Sequence, residues 1–313
     1  MTASTVAATI TAVTPIAQDI YGITLTTVQG SLEEAQPGAH VRVQLPSGRE
    51  RSYSIISQPE SCAAMTIAVK DEVDGRGGSH ELCTLATGTT LRVSQPQNDF
   101  TLDSQDVASV FVAAGIGITP LWNMITACEA TGQPWRLHYA ARSSACCAFE
   151  AELAAFEAEV PGRVHFYFAD RGQRLDLADI VASVKPDEGI YCCGPDRITH
   201  EFATLTAEFG TRAHREDFSV AEVASGGYEL VLARSGHTLR VEDGMTVLDA
   251  VLEAGVEPEY SCMSGTCGSC EVVVLDGEVE HQDFYLSDEE KASNDRMMIC
   301  CSGSRGERLV IDL

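Results

Sequence analysis

The sequence predicts a multidomain protein in which an antiparallel β-barrel is joined to an α/β parallel-sheet domain and then to a small α+β domain. Three observations lead there. Alternating apolar strands with turn dipeptides fill the first third, strands alternate with helical patterns through the middle, and the final third is acidic and cysteine-rich. A chain of 313 residues exceeds what one core ordinarily serves, so two or three domains are expected. The expected limits are 1–103, 104–218 and 219–313.

In the first domain VAATITAVTPIAQDIYGITLTTV (6–28) and HVRVQL (40–45) read as barrel strands, with turns at Pro37-Gly38 and Pro46-Ser47-Gly48. Two pieces there are chemically suggestive, ERSYSII (50–56) and VKDEVDGRGGSHEL (69–82). Arg51 can pair with a phosphate, Tyr53 can lie along an aromatic ring system, and Ser54 can hydrogen-bond to a ring nitrogen. Gly75 to Ser79, with Arg76 among them, reads as a glycine-rich phosphate cradle that opens a helix at Ser79. Standing alone, an Arg-x-Tyr-Ser strand equally suits plain barrel surface.

The middle domain opens with VASVFVAAGIGITPLW (107–122), an apolar strand, a glycine turn, and then Thr119-Pro120 as expected N-cap and first helical residue. Strand, tight turn and helix N-terminus make a pyrophosphate site, because free amides and the helix dipole meet the negative charge. Gly115 and Gly117 let the backbone approach. Pro120 replaces the third glycine of the dinucleotide fingerprint, so an ordinary strand-to-helix connection explains the turn as well. WRLHYAA (135–141), RVHFYFAD (163–170) and GIYCCGP (189–195) read as further strands, and FEAELAAFEAEV (149–160) as a helix. Ligands of open parallel sheets bind at the carboxyl edges, which places Cys193-Gly194-Pro195 beside a nicotinamide and Arg142-Ser143 near a ribose or 2′-phosphate. A plain turn with two buried thiols is the alternative for the former. Arg142 and Ser143 do not decide between NADH and NADPH.

Charge excludes one class of partner. The net of −25 leaves no basic footprint for nucleic acid, and acidic surfaces steer basic partners instead. Residues 1–20 lack the basic and apolar regions of a targeting segment, and no stretch approaches the roughly 20 apolar residues of a membrane span. The expectation is a cytoplasmic protein whose 12 cysteines are reduced, which makes a cysteine cluster a sign of metal. From Ser219 onward there are 19 Asp and Glu against 6 Lys and Arg, and Ala224-Ser225-Gly226-Gly227 reads as a linker.

Cys262, Cys267 and Cys270 are spaced C-x4-C-x2-C, and Cys300 follows after 29 residues. This is the plant-type ferredoxin arrangement for a 2Fe-2S cluster. Gly265 and Gly268 allow the loop to fold around a cluster, and Ser264, Thr266 and Ser269 keep it compact. Structural zinc favours two C-x2-C pairs, and a thioredoxin-like pair would leave Cys262 and Cys300 without a role. Cys300 is assigned as ligand and Cys301 as a packed neighbour; Cys301 as ligand would lengthen only the last spacing by one. Around the loop, YELVLARSGHTLRV (228–241) reads as a hairpin, TVLDAVLEAGV (246–256) as a helix, EVVVL as a strand and Asp276-Gly277 as a turn. That order fits a ferredoxin-type β-grasp domain.

RSYS, GRGGS, PQNDF (96–100), AGIGITP, YCCGP and the cysteine loop follow one another as they do in phthalate dioxygenase reductase-like proteins, which this chain resembles over nearly its full length. Vanillate demethylase and carnitine monooxygenase reductases are similar in layout. The resemblance implies a flavin in the barrel, FMN rather than FAD, NADH (or NADPH) in the middle domain, and 2Fe-2S at the carboxyl end. It implies flavin contacts at Arg51, Ser52, Tyr53, Ser54, Ala68, Val69, Lys70, Arg76, Gly77, Gly78 and Ser79, with Phe218 of the HREDF linker closing over them. It implies nucleotide contacts at Gly115, Gly117, Thr119, Pro120, Arg142, Ser143, Cys193, Gly194 and Pro195. Ser54 and Cys193 would stand at the site of hydride transfer from NAD(P)H to flavin. The acidic content near Asp170 is thinner than the family pattern, which leaves the adenosine contacts open.

The implied partner is the terminal Rieske-type oxygenase component, with no nucleic-acid or membrane partner. Glu253, Glu257, Glu259 and Glu271 could guide its docking or form only a solvated face. A stand-alone flavin reductase or NAD(P)H oxidase, and a redox sensor, are the alternative functions. The first would have no use for the four spaced cysteines, and the second none for the hydride apparatus.

Overall fold

A computed structural model of the chain describes residues 5–73, 77–218 and 224–313. The chain divides into two compact units, Ala3–Phe218 and Ser219–Leu313. In the first, six strands close a barrel: β1 (Thr5–Ala17), β2 (Ile20–Thr27), β3 (His40–Gln44), β4 (Glu50–Ser57), β5 (Ala64–Lys70) and β6 (Thr90–Ser94). Their order is β1-β2-β5-β4-β3-β6, every pairing is antiparallel, and closure leaves no free edge. Alternate residues such as Ile23, Leu25, Val41, Val43, Ile55 and Ile67 fill the interior. Helix α1 (Gly78–Thr84) lies against β4 and β5.

The same unit continues as β7 (Ala108–Ala114), α2 (Ile118–Thr131), β8 (Trp135–Ala141), α3 (Glu150–Glu159), β9 (Val164–Phe168), α4 (Leu177–Ala182), β10 (Glu188–Gly194), α5 (Asp196–Leu205) and β11 (Ala213–Asp217). The five strands form a wholly parallel sheet in the order β11-β10-β7-β8-β9. The chain enters at β7, proceeds one way to β9 and then the other way through β10 to β11. The topological switch point therefore lies between β7 and β10. Barrel and sheet meet in one core, where Ile20, Ile56 and Phe100 join Leu121, Met124 and Ile125 of α2. Asn123 of α2 adds a hydrogen bond from its Nδ2 to the carbonyl of Ile55, 3.2 Å away.

Three details of the sequence reading are corrected. Thr119 is not an N-cap: a 3-10 turn over Gly115–Gly117 precedes α2, the capping position is Gly117, and the Thr119 hydroxyl turns back to donate to the Ile116 carbonyl at 3.0 Å. Pro120 is consequently the third helical residue, still in the first turn, where the missing N–H has no helical partner to lose. Helix α1 begins at Gly78, one residue before the expected Ser79.

In the second unit β12 (Tyr228–Leu232) and β13 (His237–Val241) form a hairpin, followed by α6 (Val247–Glu253), β14 (Glu271–Asp276), β15 (Val279–Glu280), α7 (Asp288–Ser293), β16 (Arg296–Met298), β17 (Gly303–Ser304) and β18 (Arg308–Ile311). The main sheet runs β13-β12-β18-β14-β16, with β12 and β18 parallel at its centre. Helix α6 starts at a capping box, Thr246 with Asp249, and presents Val247, Leu248 and Val251 to the core.

Candidate cluster and cofactor sites

Between β7 and β10 the backbone, not the side chains, shapes the crevice. Gly115 is left-handed at φ +58°, and its carbonyl accepts a hydrogen bond from the buried Tyr139 hydroxyl at 3.1 Å. A Cβ on Gly117 would lie 2.2 Å from the Cys193 carbonyl oxygen, and one on Gly194 would lie 2.9 Å from the Ala114 Cβ. Glycine is thus demanded both in the turn after β7 and at the end of β10. The Cys193 thiol is fully buried, and burial pushes its pKa well above the usual thiol value. Its carbonyl, packed on Gly117, is the part of Cys193 that borders the crevice. Pro195 holds the capping position of α5. Arg142 is exposed just past β8, and its carbonyl accepts the Asp170 amide at 3.0 Å.

At the neighbouring end of the barrel, Arg51, Ser52, Tyr53 and Ser54 lie on β4, and Ala68, Val69 and Lys70 lie on the adjacent β5. Gly77, with φ +81°, Gly78 and Ser79 start α1 beside them, while Arg76 lies outside the described residues. A Cβ on Gly78 would meet the Arg51 Cγ at 2.8 Å, so this glycine gives the arginine stem its place. The Tyr53 hydroxyl and Ser54 Oγ are buried and find no hydrogen-bond partner among the described residues. Burial raises the Tyr53 pKa, which keeps the phenol neutral. Two orphaned hydroxyls on one strand, next to a glycine turn, fit a planar heteroaromatic ring with acceptor atoms. Ala68 and Val69 are buried apolar residues that can offer only backbone, and Lys70 is engaged by Glu72 at 2.7 Å. Phe218 is half-buried against the core shared by barrel and sheet.

In the second unit the cysteine loop takes left-handed backbone at Met263, Gly265 and Gly268, a pattern that turns successive amides inward as an anion-binding concavity. The Ser264 amide donates to Cys262 Sγ at 3.4 Å, and the Cys267 thiol donates to Ser269 Oγ at 3.4 Å. Among the described residues no three His, Cys, Asp or Glu side chains gather as one ion requires. The thiols instead neighbour one another as two pairs, Cys262 with Cys267 and Cys270 with Cys300. Cys267 holds Cys262 below the usual thiol range and is itself pushed up by it, and Cys300 in the same way pushes Cys270 up. Cys270 lowers Cys300, but the Cys301 thiol and burial outweigh it. Two sulfur pairs, one half-exposed and one buried, are the donor set that two adjacent irons need.

The sequence reading missed the segment His281 to Leu286, which backs this loop. The Phe284 amide donates to the Gly265 carbonyl at 2.9 Å, and Cβ atoms on Gly265 and Gly268 would meet Asp283 Cα at 3.1 Å and the Tyr285 ring at 2.4 Å. These contacts explain why both positions are glycine. No spacing signal marked the segment; only the capping box that starts α7, Ser287 with Glu290, could have shown that an ordered turn precedes it. Glu253, Glu257, Glu259 and Glu271 are all exposed.

Residues 230–303 match the model of the 2Fe-2S iron-sulfur cluster binding domain, and residues 111–203 that of the oxidoreductase NAD-binding domain. The tetrachlorobenzoquinone reductase of Sphingobium chlorophenolicum is 41% identical, with 99% of this chain and 98% of that protein covered. The carnitine monooxygenase reductase subunit of Escherichia coli is 36% identical over 96% of each chain. The solved structure of a phthalate dioxygenase reductase, described as modular for electron transfer from pyridine nucleotides to [2Fe-2S], is 31% identical with a TM-score of 0.85, covering 99% of this chain and 98% of that one. A type IV self-sufficient cytochrome P450 monooxygenase is 36% identical with a TM-score of 0.74; this chain is covered to 99% but spans only 41% of that one.

Proposed function

The chain belongs to the phthalate dioxygenase reductase-like family, and from that premise we propose that it is the NAD(P)H-dependent reductase component of a two-component Rieske-type oxygenase or demethylase. The observation that carries the reading is the arrangement of Cys262 with Cys267 and Cys270 with Cys300 as two thiol pairs, three thiols from one loop and the fourth from the segment that follows β16. The functional divisions are a flavin-binding barrel over 1–103, a nucleotide domain over 104–218 and a ferredoxin domain over 219–313. The partners are NADH (NADPH as alternative) and the oxygenase component.

FMN rather than FAD is taken as the flavin, as membership of this family implies. Bound FMN supplies the conversion of a two-electron hydride donor into single-electron transfers, and a 2Fe-2S cluster supplies a one-electron carrier. The chain's own part is placement. Arg51 and the Gly77–Ser79 turn hold phosphate, Tyr53 flanks the ring, and the Ser54 hydroxyl donates to a ring nitrogen. The Gly115–Gly117 turn and the Cys193-Gly194 main chain keep the crevice open for the nicotinamide, and Phe218 covers the flavin region. No acid or base need break a bond. The twelve free cysteines suit a reducing cytoplasm, and no helix among the described residues is long and apolar enough to cross a membrane.

Anaerobic mixing of the purified protein with NADH tests the reading. Bleaching of flavin and cluster together is expected; flavin bleaching alone would make the protein a plain flavin reductase, and none would remove both roles. The Sphingobium relative's name supports a second reading, in which a quinone is the acceptor. Turnover with a quinone in the absence of any protein acceptor separates the two.

A further inference from the structure

Among the described residues of the second unit, the carboxylate of Asp283 is the one acidic group taken wholly out of water beside the cysteine loop, with a side-chain exposure of 0%. Three groups address it directly. The Leu286 amide donates to Oδ2 at 2.9 Å, the Ser302 hydroxyl donates to Oδ1 at 3.3 Å, and His281 Nδ1 lies 3.3 Å from Oδ1. Lys291 Nζ stands 3.9 Å from Oδ2 and donates to the Asp283 carbonyl at 2.6 Å.

These bonds join the two chain segments that must converge to bring the four cysteines together. Asp283 packs on Gly265, inside the C-x4-C stretch, while Ser302 lies two residues past Cys300. The carboxylate is therefore fixed in position relative to both thiol pairs. A charge fixed in a low-dielectric interior acts strongly on any charge that changes nearby.

We infer that Asp283, acting through the loop it braces, sets the reduction potential of the cluster. One-electron reduction would add one electron with no bond formed or broken, so the reduced and oxidised states would differ by one unit of negative charge. Asp283 opposes that charge and Lys291 offsets Asp283. The pair tunes how readily the cluster takes an electron from the flavin and how readily it gives one up. Asp283 is a positioning residue here, since it does not touch the metal.

This inference rests on the reading that the loop holds 2Fe-2S, and the test separates the two. Full-length protein is reconstituted, its iron and labile sulfide are measured, and the cluster potential is taken by EPR-monitored titration at one pH. Asp283→Asn, which keeps the shape and removes the charge, should favour reduction about tenfold, equivalent to about 59 mV upward for a one-electron couple. Lys291→Met, at a partly exposed position on α7, should move the potential the opposite way by about threefold. Opposite shifts in fully loaded protein support the inference. Potentials unchanged in both variants, or moved in the same direction, overturn it. Should Asp283→Asn take up no iron, the direction of the Lys291→Met shift decides alone. A wild-type protein without the cluster signal would overturn the functional reading itself.

Discussion

The Cα of Gly117 rests against the carbonyl of Cys193 so closely that a methyl group there would lie 2.2 Å from the oxygen and 2.8 Å from the Gly194 amide nitrogen. No rotamer relieves that clash, because both partners are main chain. Gly117→Ala must part β7 from β10 at the switch point, at a cost of about 1–3 kcal/mol to the first unit. NADH-driven flavin bleaching should slow at least about tenfold, since a shift of about an ångström can cost more than that in hydride transfer. The EPR signal after dithionite reduction should be unchanged. Stopped-flow absorbance checks the first expectation, and an unaltered bleaching rate would remove the crevice from the nucleotide site.

Ser54 presents a second, sign-specific case. Its hydroxyl is buried with no partner among the described residues, so in flavin-free protein it costs about 1 kcal/mol or more and Ser54→Ala should raise the thermal midpoint. With flavin bound the same change removes a hydrogen bond, so the stabilisation by flavin should shrink and hydride transfer should slow about tenfold or more. Melting curves with and without FMN read the sign. Equal effects in both states would mean that the hydroxyl faces no ligand.

Much of this arrangement was legible in the sequence, for reasons that differ from part to part. The C-x4-C-x2-C spacing is rigidly tied to its chemistry, so the loop could be read from residue types alone. Strand and helix order followed from hydrophobic period. Thr119 misled because cap preference is a local tendency, and a 3-10 turn at Gly115–Gly117 took the capping place. The strap from His281 to Leu286 was invisible, since its contacts with Gly265 and Gly268 span many residues and leave no periodic trace. The shared core of barrel and sheet was equally unreadable, being a matter of which apolar faces meet.

His138 makes the first unit acid-sensitive. It is buried on β8, its Nδ1 lies 2.9 Å from the Tyr167 hydroxyl, and its ring stacks on His165 with 4.7 Å between centroids. Burial first, then the charges of His165 and Arg136, lower its pKa to about 4. A depressed histidine pKa means that the unfolded chain binds the proton more readily. Stability from neutral His138 is therefore complete above the ordinary value of about 6.5 and is lost as pH falls toward about 4. The loss amounts to about 2 kcal/mol after allowance for partial solvent access. Both tryptophans, Trp122 and Trp135, lie in this unit, so their fluorescence in urea reports on it alone. His138→Gln should flatten the fall in urea midpoint between pH 7 and pH 5; an unchanged slope would assign the acid sensitivity elsewhere.

The fold treats two neighbouring thiols, the candidates for the last ligand, differently. Cys300 pairs with Cys270, whereas Cys301 is 2% exposed, directs its thiol to the Met298 carbonyl at 3.8 Å, and sits 2.8 Å from where a Cβ on Gly265 would be. Cys301 thus packs against the back of the loop, and Cys300 faces the other donors. Iron sites of this kind need thiolate, and a serine oxygen at one corner alters or abolishes the cluster. Cys300→Ser should lose the cluster, or change its EPR g-values and weaken iron retention on gel filtration. Cys301→Ser should keep full iron and the wild-type spectrum, at a stability cost of about 1–2 kcal/mol for a hydroxyl in a sulfur's place in the core. The reverse pattern would move the ligand to Cys301. Because both variants are scored on iron per protein and on spectrum together, a folding defect cannot imitate either answer: misfolded Cys301→Ser would lose iron and soluble protein alike, while correctly folded Cys300→Ser would lose only the metal.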